Sequence, residues 1–361
     1  SCCWSSMADP GDVANPCPSL VSAASVSIVR CGHYRLAGSG SPSTVRLVPQ
    51  SRLKSAGRSV RTLTDLHTLE PSSAGQADCP ARVTLFAGDA FDAAGWLLGL
   101  PSTSPESGEP CVLDFASDSE PGGGWKGKQR GTQEEDLCRR SNLGICLEEH
   151  YVSVGPAGYM PHLGAVYSPD TVVFRASRTY RLMERPMWVA VVAAALRCCG
   201  SAAELRGKVD GVLRVAASMG HRMLVLGAWG CGAFGNDPQQ VAGHMADAVR
   251  CYGTWFDHVV FAVPKGCNYD AFQAALPGAG QVAPETGGAH ARWAPASAPR
   301  LTDQDRWELL ASVEECFEEA VAQAAVSPQD CTTQEGARRA AQALVEALKA
   351  ACIRVFAKGR P

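Results

Sequence analysis

Residues 111–141 read CVLDFASDSEPGGGWKGKQRGTQEEDLCRRS, and three kinds of local structure follow one another within them. Cys111-Val112-Leu113-Asp114-Phe115 is a short, mostly apolar run of the kind that fills a buried strand. The triplet Gly122-Gly123-Gly124 cannot continue a strand, and with no side chains in the way it brings backbone N–H groups close to a ligand. From Thr132 the apolar residues Leu137, Leu143 and Leu147 recur at helical intervals, with acidic residues at the start and Arg139-Arg140 further on. That pattern predicts one helix over 132–150, opened by Gln133, Glu134 and Glu135. Strand, glycine loop and helix in this order make one unit of an α/β fold, with two carboxylates at the loop–helix junction.

The surrounding chain repeats the theme. Upstream, Val83-Thr84-Leu85-Phe86 is a strand ending at Gly88-Asp89, and Ala90 to Leu98 is a helix. Downstream, strands are expected at Val172-Val173-Phe174, Trp188 to Val192, Met223 to Leu226 and Val259 to Val263, with helices over 203–219 and 238–252 between them. The class is therefore α/β with a largely internal sheet. Residues 1–80, broken by Gly38-Ser39-Gly40-Ser41-Pro42, read as an N-terminal extension or accessory lobe, and 81–276 as the catalytic domain. Pro, Gly and Ala dominate 277–300, which reads as a linker. Beyond it, 302–325 and 333–356 are amphipathic, with Trp307, Leu310, Val313 and Phe317 on one stripe. They form a helical hairpin over 301–361, either packed on the body or free to bind a partner.

Totals narrow the function. The 361 residues are 46% apolar and 19% charged, the balance of a soluble globular protein, with a formal net charge of −3. A chain without a global basic field is not a general duplex-DNA binder, and no sequence-specific nucleic-acid site is expected. The 16 cysteines are scattered, with adjacent pairs Cys2-Cys3 and Cys198-Cys199 but no C-x-x-C and no zinc spacing. They read as small buried thiols of a reducing compartment, cytoplasm or nucleus, and no metal site is expected. Eighteen apolar residues never run together, and no basic residue precedes the mildly apolar Leu20 to Val29. Neither a membrane span nor a signal peptide is expected.

A second constellation follows the strand Met223-Leu224-Val225-Leu226. Gly227-Ala228-Trp229-Gly230-Cys231-Gly232-Ala233-Phe234-Gly235-Asn236-Asp237-Pro238 leads into a helix, and backbone amides beside a helix N-terminus favour a diphosphate. Glycines 230, 232 and 235 match the spacing G-x-G-x-x-G. A nicotinamide oxidoreductase would need more strand–helix units downstream than the single strand at 259–263 provides. Adjacent carboxylates, by contrast, suit glycosidic chemistry. One stays ionised against sugar hydroxyls while its neighbour, raised by that charge and by burial, keeps a proton for the leaving oxygen. Without the glycines, Glu134-Glu135 would equally be a solvated first helical turn.

Taken together, PGGGWKGKQRGTQEEDLCRRS and LVLGAWGCGAFGNDP resemble the signature and diphosphate loop of microbial-type poly(ADP-ribose) glycohydrolases. The likeness runs from about residue 20 to residue 276. It implies a three-layer α/β/α macrodomain with a mixed central sheet, an N-terminal extension and a C-terminal helical appendage, acting without metal or cofactor. The implied substrates are poly(ADP-ribose) and ADP-ribosylated proteins, and the product is ADP-ribose. By the same resemblance Glu135 is the catalytic acid and Glu134 the carboxylate that orients the ribose, with Gln133 beside them. Gly122, Gly123 and Gly124 line ribose and phosphate. Gly230, Cys231, Gly232, Ala233, Gly235 and Asn236 wrap the diphosphate, and Phe234 lies against the distal ribose. Asp89 is either an adenine contact or a plain helix cap. Asp114 departs from the family, where asparagine is expected. Hydrolysis of a single ADP-ribosyl group and non-catalytic binding of ADP-ribose are the alternatives.

Overall fold

The computed structural model describes residues 17–36, 43–71, 76, 79–100, 108–128, 131–177, 179–197 and 201–283. The two C-terminal amphipathic stretches and residues 284–300 of the expected linker lie outside them. In chain order the elements are α1 (Pro18–Cys31), β1 (His33–Leu36), β2 (Ser43–Arg46), α2 (Gln50–Ser59), β3 (Arg61–Leu63), β4 (Arg82–Phe86), α3 (Ala90–Leu98) and β5 (Cys111–Phe115). They continue with α4 (Gln133–Arg140), α5 (Leu143–Val154), α6 (Pro156–Tyr159), β6 (Ala165–Arg175), β7 (Leu182–Ala194) and α7 (Ala202–Ser218). Last come β8 (Met223–Leu226), α8 (Pro238–Tyr252), β9 (His258–Ala262), α9 (Cys267–Ala275) and β10 (Gly280–Val282).

Eight of the strands form one mixed sheet in the order β10-β4-β9-β8-β5-β7-β6-β3. Pairing is parallel from β10 to β7 and antiparallel from β7 through β6 to β3. Because side chains alternate along a strand, the sheet feeds two cores. Leu113, Leu224, Leu226, Val259 and Phe261 meet α7, α8 and α9 on one face. Val112, Val191, Val225 and Val260 meet α3, α4 and α5 on the other. The result is the expected helix–sheet–helix sandwich. Each fully buried aliphatic side chain, such as Leu213 on α7 or Leu97 on α3, stabilises it by about 1.5–3 kcal/mol.

Three expectations change. Residues 17–71 are not a separate lobe: β3 pairs with β6 in the main sheet, and Ala56 and Val60 share a core with Leu147 of α5. Residues 280–282, read as linker, form the edge strand β10 beside β4. The single helix expected over 132–150 is two. Ser141 takes an extended conformation and bridges to Val173, while the Asn142 carboxamide accepts from Val172 N at 2.8 Å and donates to Asp170 O at 3.0 Å. The backbone of Ser141 and the side chain of Asn142 tie the chain to β6 and interrupt the helix, a long-range effect that the continuous apolar period conceals. Among the described residues no helix is long and apolar enough to cross a membrane.

Candidate active site

Beyond Val112, β5 has no pairing with β8, so the two strands part at their carboxyl ends and leave a crevice. The Gln133 carboxamide takes over the vacant edge, accepting from Phe115 N and donating to Leu113 O, both at 2.8 Å. The helix α4 is thereby pinned to the strand end, and Gln133 acts as a pin as well as part of the wall. A cleft of about 680 Å³ opens there. Its walls include Gly123, Gly124, Gln133, Glu134 and Glu135 on one side and Gly230, Gly232, Ala233 and Phe234 on the other.

The two glutamates sit in opposite environments. Glu134 is 2% exposed, accepting from Ser117 N at 2.7 Å and Gly122 N at 3.0 Å. Burial above all, with any negative charge on the neighbouring Asp114 adding to it, pushes its carboxyl well up, although the two N–H donors act the other way. Glu135 is half-buried. It closes a capping box with Thr132, accepting from Thr132 N at 2.6 Å and Thr132 Oγ1 at 2.8 Å, and from Gly124 N at 3.2 Å. Burial raises its carboxyl, but these donors outweigh burial and hold it below the usual range. In the free protein the two carboxyls are thus driven in opposite directions, Glu134 up and Glu135 down. The reason is local: both carboxylates accept backbone N–H groups, but Glu135 adds the Thr132 hydroxyl and is only half-buried, whereas Glu134 is sealed from solvent.

The glycine loop fits against this pair. Gly123 has φ +54°, and a Cβ there would lie 2.7 Å from Glu135 Oε1 and 3.1 Å from Glu134 Oε2. Beneath the loop, the buried Arg139 donates from Nε to Trp125 O at 2.8 Å, and Ser22 Oγ donates to the same oxygen. The opposite loop is shaped by its own bonds: Asn236 donates from N and Nδ2 to Gly230 O, and from Nδ2 to Leu196 O. Its turns also use the N–H of Trp229, Cys231 and Gly235, while those of Gly232, Ala233 and Phe234 take no part in them. Asp237 caps α8 by accepting from Gln239 N at 2.9 Å, so a helix start stands behind the loop.

Of the residues expected at the site, Gly122, Cys231, Gly235, Asn236 and Asp89 do not line the cleft. Gly122 serves it through its N–H to Glu134, and Asn236 through the shape of the loop. Asp89 takes the cap reading: it caps α3 by accepting from Asp92 N at 3.0 Å, and pairs with buried Arg140 at 2.7 Å. Sequence reasoning missed the wall after β9, where Val263, Pro264, Lys265, Gly266, Cys267 and Asn268 lead into α9. It also missed Arg197, which pairs with Asp118 and lies 5.7 Å over the ring of Phe234. The glycine in Pro264-Lys265-Gly266 was the one signal for that wall, while an isolated Arg and Asp 79 residues apart carried none.

The three-layer sandwich and a carboxylate pair facing a glycine loop at the strand ends define a macrodomain-type sugar-nucleotide fold equipped for acid–base work. The comparisons make this particular. Residues 25–176 match the family described as "Microbial-type PARG, catalytic domain". The crystal structure of poly(ADP-ribose) glycohydrolase from Thermomonospora curvata is 30% identical, with a TM-score of 0.59, over 72% of this chain and 99% of that one. A second Thermomonospora curvata structure, bound to the inhibitor ADP-HPD, has the same identity and coverage at a TM-score of 0.57. The enzyme from Deinococcus radiodurans in complex with ADP-ribose is 28% identical, with a TM-score of 0.53, over 64% of this chain and 98% of that one. Among proteins of curated function none matches in sequence. The chain belongs to the microbial-type poly(ADP-ribose) glycohydrolase family.

Proposed function

We propose that this protein hydrolyses the ribose–ribose O-glycosidic bonds of poly(ADP-ribose) and releases ADP-ribose. The observation that carries the reading is the pair Glu134–Glu135, in opposite electrostatic settings against the glycine loop of one cleft. The terminal ADP-ribose lies with its diphosphate along residues 230–235, where backbone N–H groups and the start of α8 supply positive potential. Its ribose hydroxyls donate to Glu134 and favour that carboxylate, so the proton Glu134 carried passes to Glu135. Glu135 gives this proton to the glycosidic oxygen as the C1–O bond breaks and oxocarbenium character develops. The ionised Glu135 then takes a proton from water, whose oxygen bonds to C1, and ADP-ribose leaves with a shortened polymer.

Polymer carried on modified proteins presents the same terminal ADP-ribose, and the overall charge of −3 gives no reason to add a nucleic-acid substrate. The nine described cysteines are free thiols, which supports a reducing compartment such as cytoplasm or nucleus. The test is release of free ADP-ribose from defined polymer, with Glu135→Gln as the comparison and ADP-ribose binding followed by calorimetry. Loss of at least a hundredfold in turnover with binding kept is expected (~10²–10⁴ for a general acid–base). Binding without release by the wild type would make the protein a reader.

A further inference from the structure

Asp114 is the single charged residue of β5, and it is wholly buried. Neither carboxylate oxygen has a hydrogen-bond partner among the described residues, and the hydroxyl of buried Tyr159 is in the same condition. The titratable groups whose fields it shares are Glu134, Glu135 and Cys138 from α4 and Tyr159 from α6. Arg139, also on α4, spends Nε on Trp125 O. An ionised Asp114 would be a buried charge with no donor, facing further negative charge. A neutral carboxyl escapes that cost and has an O–H to offer.

We propose that Asp114 is a neutral carboxylic acid in the active protein, and that its neutrality is what allows Glu134 to become charged when substrate binds. The inference rests on the reading of Glu134 and Glu135 given above. Glu134 has to ionise against ribose hydroxyls, and a negative Asp114 next to it would oppose that step. Burial first, and then the charge of Glu135, raise the Asp114 carboxyl to about 8. Asp114 is therefore a positioning residue acting through Glu134, and it places the alkaline limit of the reaction. An asparagine at this position has no proton to lose.

The experiment compares the wild type with Asp114→Asn in two measurements across pH. In the first, turnover of the wild type falls about tenfold per pH unit above about pH 8, one titrating group being tenfold per unit, and the variant keeps its rate a unit or more higher. In the second, urea unfolding is followed from pH 4 to 9. An acid protonated in the folded chain and ionised in the unfolded one makes stability fall as pH rises from about 4 to about 8, and level off beyond. The wild type should thus lose ground to the variant across that window. A constant stability difference, or an alkaline limb unmoved by the substitution, overturns the proposal. Should neither protein release ADP-ribose while the stability window is seen, the functional reading fails and the neutral state of Asp114 stands.

Discussion

Gly123→Ala tests the packing of the glycine loop on the carboxylate pair. A methyl group there would start 2.7 Å from Glu135 Oε1, and ordinary contact begins at 3.4 Å, so loop or carboxylate must yield by about 0.7 Å. Alanine at φ +54° adds a backbone cost of about 1–2 kcal/mol. Set against a total stability of about 5–15 kcal/mol, that leaves the chain folded. Catalysis is less forgiving, because a misplacement of about 1 Å at reacting groups costs on the order of 10² in rate. The expected result is a loss of about tenfold to a hundredfold in kcat, with the urea midpoint only modestly lowered. Full kcat in a folded Gly123→Ala protein would refute the geometry, since the loop could not then be in contact with the acid that does the work.

Two further substitutions separate support from chemistry. Arg140 is 1% exposed and pairs with Asp89, Asp92 and Asp136, so Arg140→Met leaves three carboxylates without their cation. It should lower stability at pH 7 by about 3–5 kcal/mol by urea unfolding, with the deficit shrinking towards pH 4 as the acids take up protons. Arg197→Ala removes a largely exposed ion pair and the cation over Phe234. Stability should change by less than about 1 kcal/mol. ADP-ribose affinity by calorimetry should weaken by no more than about fivefold, because Arg197 reaches the cleft only through the Phe234 ring it covers.

Much of this molecule is legible in its sequence because local and global requirements agree. The strands expected at 83–86, 111–115, 223–226 and 259–263 are apolar runs of the right length, and the fold forms each within a residue of those bounds, as it does the helices at Ala90–Leu98 and Pro238–Tyr252. Both glycine loops and Glu134-Glu135 announce themselves by composition. What escaped detection depends on contacts distant in sequence. The interruption at Ser141-Asn142 is made by β6, which begins 23 residues later at Ala165. The charge division between Glu134 and Glu135 is set by which carboxylate meets Thr132 and Gly124 and which is sealed beside Asp114. No spacing in the sequence records that difference in setting between two adjacent glutamates.

Two motifs about a hundred residues apart face each other across one crevice because of where β8 stops. Strand β8 has four residues and pairs with β5 only at Cys111–Leu224 and Val112–Val225. A longer β8 would have used Leu113 O and Phe115 N in the ladder, closed the gap and left Gln133 nothing to bond. The chain instead turns away at Gly227, where a Cβ would stand 2.6 Å from Ala262 O and 2.9 Å from Phe115 Cζ. A glycine at that position lets three strand ends, β5, β8 and β9, crowd together while their loops diverge. The carboxylate helix starts on one bank and the diphosphate loop on the other, each fixed by a carboxamide, Gln133 or Asn236, bonded to nearby backbone. The short strand therefore makes the site, and its shortness is the reason why a carboxamide, Gln133, stands immediately before the two glutamates.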